Sequence, residues 1–299
     1  MDPKKLSLRI EFNPIRFYLL YKINMKVTGY CIDCLKGLVD RTAVLSGADE
    51  AARSYCHYIV RRMWEEGMTP PSIANRILRY IKEATGVYDP YKEMKDREAL
   101  RAKKAVSELW GFFPDTLEGA LKFSSLGNST DIFPDTHGGF SGIDSLNFFG
   151  DMEEIAKEFD GKGKEVLLLG DNIGDFLFDM RLVRFLEERG KRVYYAVKEH
   201  PVQNDLSMKD VKRYRFNEIF DNIISTGTDE VGIEEKDIKG IIKSLWENDA
   251  VVIAKGMGNY ETISEMDKTR HVIHILKVKC PAVSDNLGFP KGSYVATIC

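Results

Sequence analysis

Asp171 and Asn172 stand side by side in KEVLLLGDNIGDFLFDM (164–180), just after the apolar run Val166–Leu169. That run is short enough for a strand buried on both faces of a parallel sheet. Two adjacent oxygen-bearing side chains suit a hard cation such as Mg2+ or Mn2+, and open α/β sheets bind ligands at the carboxyl ends of their strands. The same pair would also serve as a plain cap for the helix that follows, so spacing alone leaves both roles open. Three more expected strand ends collect polar residues: KEHPVQNDLS with Asn204 and Asp205, STGTDEVG (225–232), and Lys255-Gly256-Met257-Gly258-Asn259-Tyr260-Glu261. Taken singly, Asp205 reads as a turn or cap residue and Lys255 as a solvated surface lysine. In a parallel sheet, however, all four ends fall on one edge, where a cation, a base and a phosphate-binding lysine could converge.

The chemistry of that set is metal-assisted hydrolysis of a phosphate ester. Two carboxylates and an amide hold one divalent cation and leave positions for water and a phosphate oxygen. The ion lowers the pKa of bound water and offsets charge growing on the phosphoryl group. Lys255 would add a second positive charge, with Gly256 and Gly258 permitting close backbone approach.

The elements that must position these residues alternate through the second half of the chain. Helix is expected over Glu153–Phe159, Ile173–Arg189, Ser207–Arg215 and Glu235–Trp246. Strand is expected over Glu165–Leu169, Arg192–Val197, Asn222–Ser225, Ala250–Ala254 and His271–Val278. Ser207 and Asp210 have the spacing of a capping box. Such alternation predicts an α/β fold: a Rossmann-like, mainly parallel sheet with helices on both faces. The first half reads as helical, with Ile32–Val44, Glu50–Glu66, Pro71–Thr85 and Tyr91–Leu109 as candidates and Gly47, Gly67 and Gly86 at their ends. Ser124–Gly150 is rich in Gly, Ser, Asp and Asn and reads as a long irregular connection. The expected organisation is an N-terminal arm (1–24), a helical subdomain with its connecting loop (25–150) and an α/β metal- and phosphate-binding domain (151–299). Met25 is an alternative beginning to the arm at Met1.

Composition narrows the function classes. With 43 Lys and Arg against 46 Asp and Glu the formal net charge is −3, which gives no support for a nucleic-acid or membrane-surface partner. No apolar run approaches the ~20 residues of a membrane span. Five scattered cysteines argue against a disulfide scaffold and for a reducing cytoplasm. Nothing in the sequence decides the oligomeric state.

GDNIGD, the NDLS turn and AKGMGNYET together resemble the metal-dependent damage-control phosphatases, first grouped as domain of unknown function 89. Cys31-x-x-Cys34 ahead of a helical region resembles the CxxC of that family's subfamily I. ALKFSSLGNSTDIF (120–133) is similar to its Gly-Asn-x-x-Asp segment, and CPAVSDNLGFPKGSYV near the end also fits. The resemblance runs from about Met25 to the C-terminus. It implies a Rossmann-like domain with an added helical portion, and one divalent metal ion (Mn2+, Ni2+, Co2+ or Mg2+) held by Asp171, Asn172 and Asp205. It implies further that Lys255 contacts the substrate phosphate, with Asn259 and Glu261 nearby and Asn128 and Asp131 approaching from the long connection. The implied substrates are small phosphorylated metabolites, such as sugar phosphates and damaged nucleotides or cofactors. The chain departs from the pattern at Asp175, where relatives commonly carry Glu, and in the looser STGTDEVG segment.

Other readings stay open. The CxxC supplies two thiolates where a structural zinc site wants four ligands, leaving inert thiols, a metal or active-site role, and redox chemistry as alternatives. Cys56-x5-Arg62 has cysteine-phosphatase spacing but lacks the glycine-rich loop, and Gly161-Lys-Gly-Lys lacks the Walker spacing. Without an Asp-x-Asp, a haloacid-dehalogenase aspartyl nucleophile is disfavoured. His137-Gly138-Gly139 has no Gly-x-Ser-x-Gly partner. The rival function is a non-catalytic metal- or nucleotide-binding protein on the same fold. A Rossmann-type methyltransferase, with Glu199 holding a ribose, is less favoured.

Overall fold

The computed structural model describes residues 25–129, 146–161, 163–266 and 270–299. Among these, seven strands form one sheet: β1 (Phe148–Gly150), β2 (Glu165–Leu169), β3 (Arg192–Val197), β4 (Ile223–Ser225), β5 (Val251–Lys255), β6 (Val272–Lys277) and β7 (Tyr294–Ile298). Their spatial order is β1-β7-β6-β5-β2-β3-β4, all neighbours parallel except β6 and β7. Chain order runs outward from β2 through β3 to β4, then jumps back across β2 to β5. The crevice between the carboxyl ends of β2 and β5 is therefore the topological switch point.

Alternation within the strands shows why the expected apolar runs were needed. Val166, Leu168, Val251 and Ile253 enter one hydrophobic layer with Phe176, Met180 and Val183 of α7 (Ile173–Glu187). Leu167, Leu169, Val252 and Ala254 enter the opposite layer with Ile242 and Leu245 of α9 (Gly240–Glu247) and Ile263 of α10 (Gly256–Ile263). Both faces are covered, so neither can carry a polar stripe.

The earlier helices divide between two places. α1 (Gly29–Ser46), α2 (Glu50–Glu65) and α3 (Pro70–Thr85) enclose a separate core that includes Leu35, Val39, Ile59, Ile73, Ile77 and Ile81. Spacing of 73, 77 and 81 lays one apolar stripe along α3. By contrast, Ala99 of α4 (Lys92–Leu109) and Leu121 of α5 (Leu117–Leu126) join the sheet's own core over α7. Polar pairs fasten α3 to the loop after β4. Asn75 exchanges two hydrogen bonds with the backbone of Val231 (3.3 and 2.7 Å), and the Lys82 ammonium reaches Asp229 (2.6 Å) and the Pro201 carbonyl (2.7 Å).

Several expectations need correction. The helix anticipated over Glu235–Trp246 is broken into a short 3-10 turn, Glu235–Asp237, and α9, because Ile238 turns extended and Gly240 takes a left-handed φ of 55°. The anticipated connection at 124–150 is shorter at both ends, since Ser124–Leu126 completes α5 and Phe148–Gly150 adds an edge strand. Helix α10, helix α11 (Pro281–Leu287) and the antiparallel β7 had no counterpart in the sequence reading. The capping box is present: Ser207 caps α8 (Met208–Arg213) and Asp210 reciprocates.

Candidate active site

Register places the exits of β2, β3 and β5 on one edge, with Leu169 beside both Ala196 and Ala254. The turns after β2 and β3 are then stitched together. Leu206 N–H donates to the Asp171 carbonyl (2.9 Å), Ile173 N–H donates to the Asn204 carbonyl (3.0 Å), and Asn172 lies opposite Asp205 in an antiparallel bridge. Residues separated by some thirty positions in sequence thus become neighbours, and the structure brings Asp171, Asn172 and Asp205 together. Asn172 occupies the N-cap position of α7 but makes no side-chain cap hydrogen bond, so its amide is not used in the way the plain capping role requires.

The electrostatics of this corner are those of crowded carboxylates. Burial, then Asp205 and Asp175, holds Asp171 well above the usual carboxylate range. Asp205 is pushed up to about 6, chiefly by burial, with the Lys198 ammonium pulling in the other direction. Asn128 donates to Asp171 (2.7 Å) and to Asp175 (3.2 Å), and its own carbonyl oxygen is buried without a hydrogen-bond partner among the described residues. Gly256 makes the packing possible. Its φ is +76°, and a Cβ there would sit 1.9 Å from the Asp171 carboxylate.

Lys255 is fully buried and lies one layer behind this corner. Its ammonium donates to the Ser124 carbonyl (2.7 Å), Ser124 Oγ (2.9 Å) and Asp179 (2.7 Å), and pairs with Asp175 at 3.0 Å. Burial opposes its charge, but Asp179 and Asp175 outweigh that and raise its pKa. With three hydrogens and four acceptors, this ammonium has no donor to spare. The sequence expectation of direct phosphate contact by Lys255 meets a side chain whose geometry reaches Asp171 through Asp175 and Asn128.

Asn259 is likewise committed, donating to the carbonyls of Gly170 (3.2 Å) and Lys255 (2.8 Å) and so pinning the exits of β2 and β5. Glu261 is half-buried, and burial raises its carboxyl to about 8. It acts electrostatically on Cys34 and Cys280 rather than on Asp171. Asp131 lies outside the described residues.

Five further charged residues surround this corner that the sequence reading gave no site role. Lys198, at the exit of β3, is buried, and its ammonium reaches the Gly232 carbonyl (2.5 Å). Burial lowers its pKa against the pull of Asp205 and Asp171. The strand-end logic that nominated Lys255 would have nominated it too. Lys279, exposed beyond β6, lowers the pKa of Asp171, Asp205 and Glu98. Asp175 and Asp179 stand one turn apart in the otherwise apolar FLFDM stretch, and that spacing was a usable signal. Glu98 of α4, raised to about 7 mainly by burial, accepts from Asn204 (2.9 Å) and the Gly174 N–H (3.4 Å). No sequence signal marks it.

The donor set fits a hard divalent cation. Two crowded carboxylates and a neighbouring amide present oxygen ligands beside buried negative charge that their local hydrogen bonds do not neutralise. Among the described residues no group of three or more His, Cys, Asp and Glu side chains is arranged to hold a metal. An ion here would be held by the two carboxylates, with Asn172, whose amide nitrogen donates to Asp171 (3.1 Å), as the remaining candidate oxygen donor.

A mainly parallel sheet with an acidic, oxygen-rich corner at its switch point defines an α/β protein with a candidate ligand edge there. Residues 27–295 match the damage-control phosphatase ARMT1-like domain, and the chain belongs to that family. It is 29% identical over 286 residues to a damage-control phosphatase of Pyrococcus horikoshii, covering 91% of this chain and 97% of that one. It is 27% identical over 290 residues to a damage-control phosphatase of Archaeoglobus fulgidus, covering 92% and 99% respectively. The crystal structure of a DUF89 family protein from Pyrococcus horikoshii superposes with a TM-score of 0.77 at 28% identity, covering 91% of this chain and 99% of that one. The mixed α/β fold is therefore the family's. Among the described residues no helix is long and apolar enough to cross a membrane.

Proposed function

We propose that the protein is a metal-dependent phosphatase that hydrolyses small phosphomonoesters, among them sugar phosphates and damaged nucleotides, in a damage-control role. The observation that carries this is the meeting of Asp171, Asn172 and Asp205 across two stitched turns, with the half-buried Asp171 carboxylate close enough to the buried Asp205 to act on it. Asp171, Asn172 and Asp205 would hold one divalent ion of the Mn2+, Ni2+, Co2+ or Mg2+ class. That ion would supply a water of lowered pKa and positive charge for the phosphoryl oxygens.

This chain's own residues do the rest. Asn128 holds the Asp171 carboxylate by its amide hydrogen bond and keeps one face of the corner polar. Lys255, through Asp175 and Asn128, maintains the charge balance behind Asp171 without facing substrate. Lys279 is the solvent-facing ammonium positioned to bind and orient the incoming phosphate, and Lys198 partly offsets the burial that raises Asp205. Residues 151–299 form the metal- and phosphate-binding part, to which the preceding helical part lends Asn128 and Glu98. The five free thiols suit a reducing cytoplasm.

The test is turnover of p-nitrophenyl phosphate with each of Mn2+, Co2+, Ni2+ and Mg2+, before and after chelation. The expected outcome is phosphate release that chelation abolishes and metal restores; undiminished turnover in the chelated enzyme overturns the reading.

A further inference from the structure

Asp179 of α7 is fully buried in an apolar stretch of the helix, between Phe178 and Met180. Three donors from three other elements converge on its carboxylate. Ser124 Oγ in the last turn of α5 (2.5 Å) and the Lys255 ammonium at the end of β5 (2.7 Å) reach Oδ1. The hydroxyl of Tyr195 in β3 (2.8 Å) reaches Oδ2. The Tyr195 ring is itself fixed edge-on to Phe176, with centroids 5.1 Å apart. A buried carboxylate is costly unless its partners satisfy it, and a network satisfied in this way is rigid.

The end of α5 hangs from that network. Lys255 donates to it a second time, at the Ser124 carbonyl (2.7 Å), one of the last-turn carbonyls that a helix leaves open. Gly127 then passes so close to α7 that a Cβ there would lie 2.7 Å from the Asp175 Cα. One residue further, the Asn128 amide donates to Asp171 (2.7 Å) and Asp175 (3.2 Å). Ser129 is anchored separately, its hydroxyl 2.8 Å from that of Tyr294. A single turn of chain therefore joins the clamp at Ser124 to the amide that meets the Asp171 carboxylate.

We propose that Asp179 is a positioning residue of the candidate active site: by clamping Ser124 and Lys255 it fixes the last turn of α5, and through that turn the Asn128 amide that orients Asp171. Tyr195 holds the clamp in place from β3. The role rests on the metal-ligand reading of Asp171; Asp179, sealed in the core, touches neither ion nor substrate.

The test is a set of double-mutant cycles with Asn128→Ala in the full chain. Mn2+ binding to the metal-free protein is measured by calorimetry, beside kcat and KM for p-nitrophenyl phosphate and the melting temperature. Asp179→Asn is expected to weaken Mn2+ binding about tenfold, the lower end of what partners behind metal ligands contribute. It should lower kcat while KM stays within about twofold. Asp179→Asn also removes a charge, whereas Ser124→Ala and Tyr195→Phe each remove one hydroxyl from the carboxylate and leave the charge unchanged. These two are expected to weaken Mn2+ binding about threefold each, and to add nothing in the Asn128→Ala background, where the group they act through is gone. Should Asp179→Asn fail to fold, the two hydroxyl variants decide alone. A merely structural Asp179 would lower the melting temperature and leave the Mn2+ affinity of the folded variants at the parent's value, which overturns the proposal. So does a hydroxyl-variant effect that persists undiminished in Asn128→Ala. A parent that binds no divalent ion overturns the metal reading and this role together. A parent that binds Mn2+ but releases no phosphate overturns the phosphatase reading alone, and the affinities still decide the role of Asp179.

Discussion

Two buried polar clusters in this protein use the same side chains to opposite ends. In one, Lys95 is fully buried between Asp89 (3.0 Å) and Asp210 (2.8 Å), and Asp210 also serves the capping box of α8. Each charge there has a partner within hydrogen-bond reach, and the cluster ties α4 to the turn leading into α8. In the other, the half-buried Asp171 and the buried Asp205 lie beside Asp175, and burial together with neighbouring negative charge raises the pKa of Asp171 and Asp205. Lys198 and Lys255 approach from behind, but Lys255 spends its hydrogens on Asp179, Asp175 and Ser124. The first cluster is a closed set of ion pairs; the second is where the proposed cation would bind. The difference lies in where each sits, for the second occupies the switch point, the place at which open α/β sheets bind ligands.

Substitutions should separate the two. Replacing Asp171 or Asp205 with Ala is expected to lower phosphatase turnover by about a thousandfold, while the melting temperature of the metal-free protein stays level or rises, because a repulsive charge is removed. A large fall in stability with turnover retained would reverse the assignment of the two clusters. Asp210→Asn should do the converse. Leaving Lys95 short of a partner costs about 3 kcal/mol of stability, read by urea unfolding, with turnover per folded molecule little changed.

The pH dependence sharpens the contrast. Asp171 titrates well above its ordinary range, Asp205 at about 6 and Glu98 at about 7, so each binds its proton more tightly in the folded than in the unfolded chain. Stability of the metal-free protein should therefore fall as pH rises from about 5 through 7, the reverse of a salt-bridged carboxylate. A divalent ion should flatten that slope by stabilising the ionised forms. Melting temperatures at pH 5.5 and 7.5, with and without Mn2+, check this, and a metal-free protein more stable at the higher pH would contradict it. The smallest effect is expected at Lys279→Ala. Because the side chain is exposed, stability should hold, and KM for a phosphomonoester should rise about tenfold, roughly 1.4 kcal/mol.

Much of this was legible beforehand, for identifiable reasons. The apolar runs at 166–169 and 251–254 were short enough for strands covered on both sides, which they are, and the turn residues after them nominated one edge of the sheet. Helices with strong caps, such as the one opened by Thr69 and Pro70 and closed by Gly86, were found within a residue or two. Misreadings came where tertiary contacts override local pattern. α10 begins on Gly256-Met257-Gly258, poor helix formers held by the sheet edge and by Asn259. β7 reads as a short apolar tail until its pairing with β6 is known.

Residue types and order were thus enough to set the class of fold and to nominate one edge and the residues Asp171, Asn172 and Asp205, which the fold brings together. Their meeting required the backbone stitching of two turns, and no periodicity encodes contacts between distant loops. The tertiary structure alone decided which lysine faces solvent and which is sealed behind the carboxylates. A lysine's role follows from the acceptors within about 3 Å of its ammonium, and those acceptors come from α5, α7 and the strand exits together.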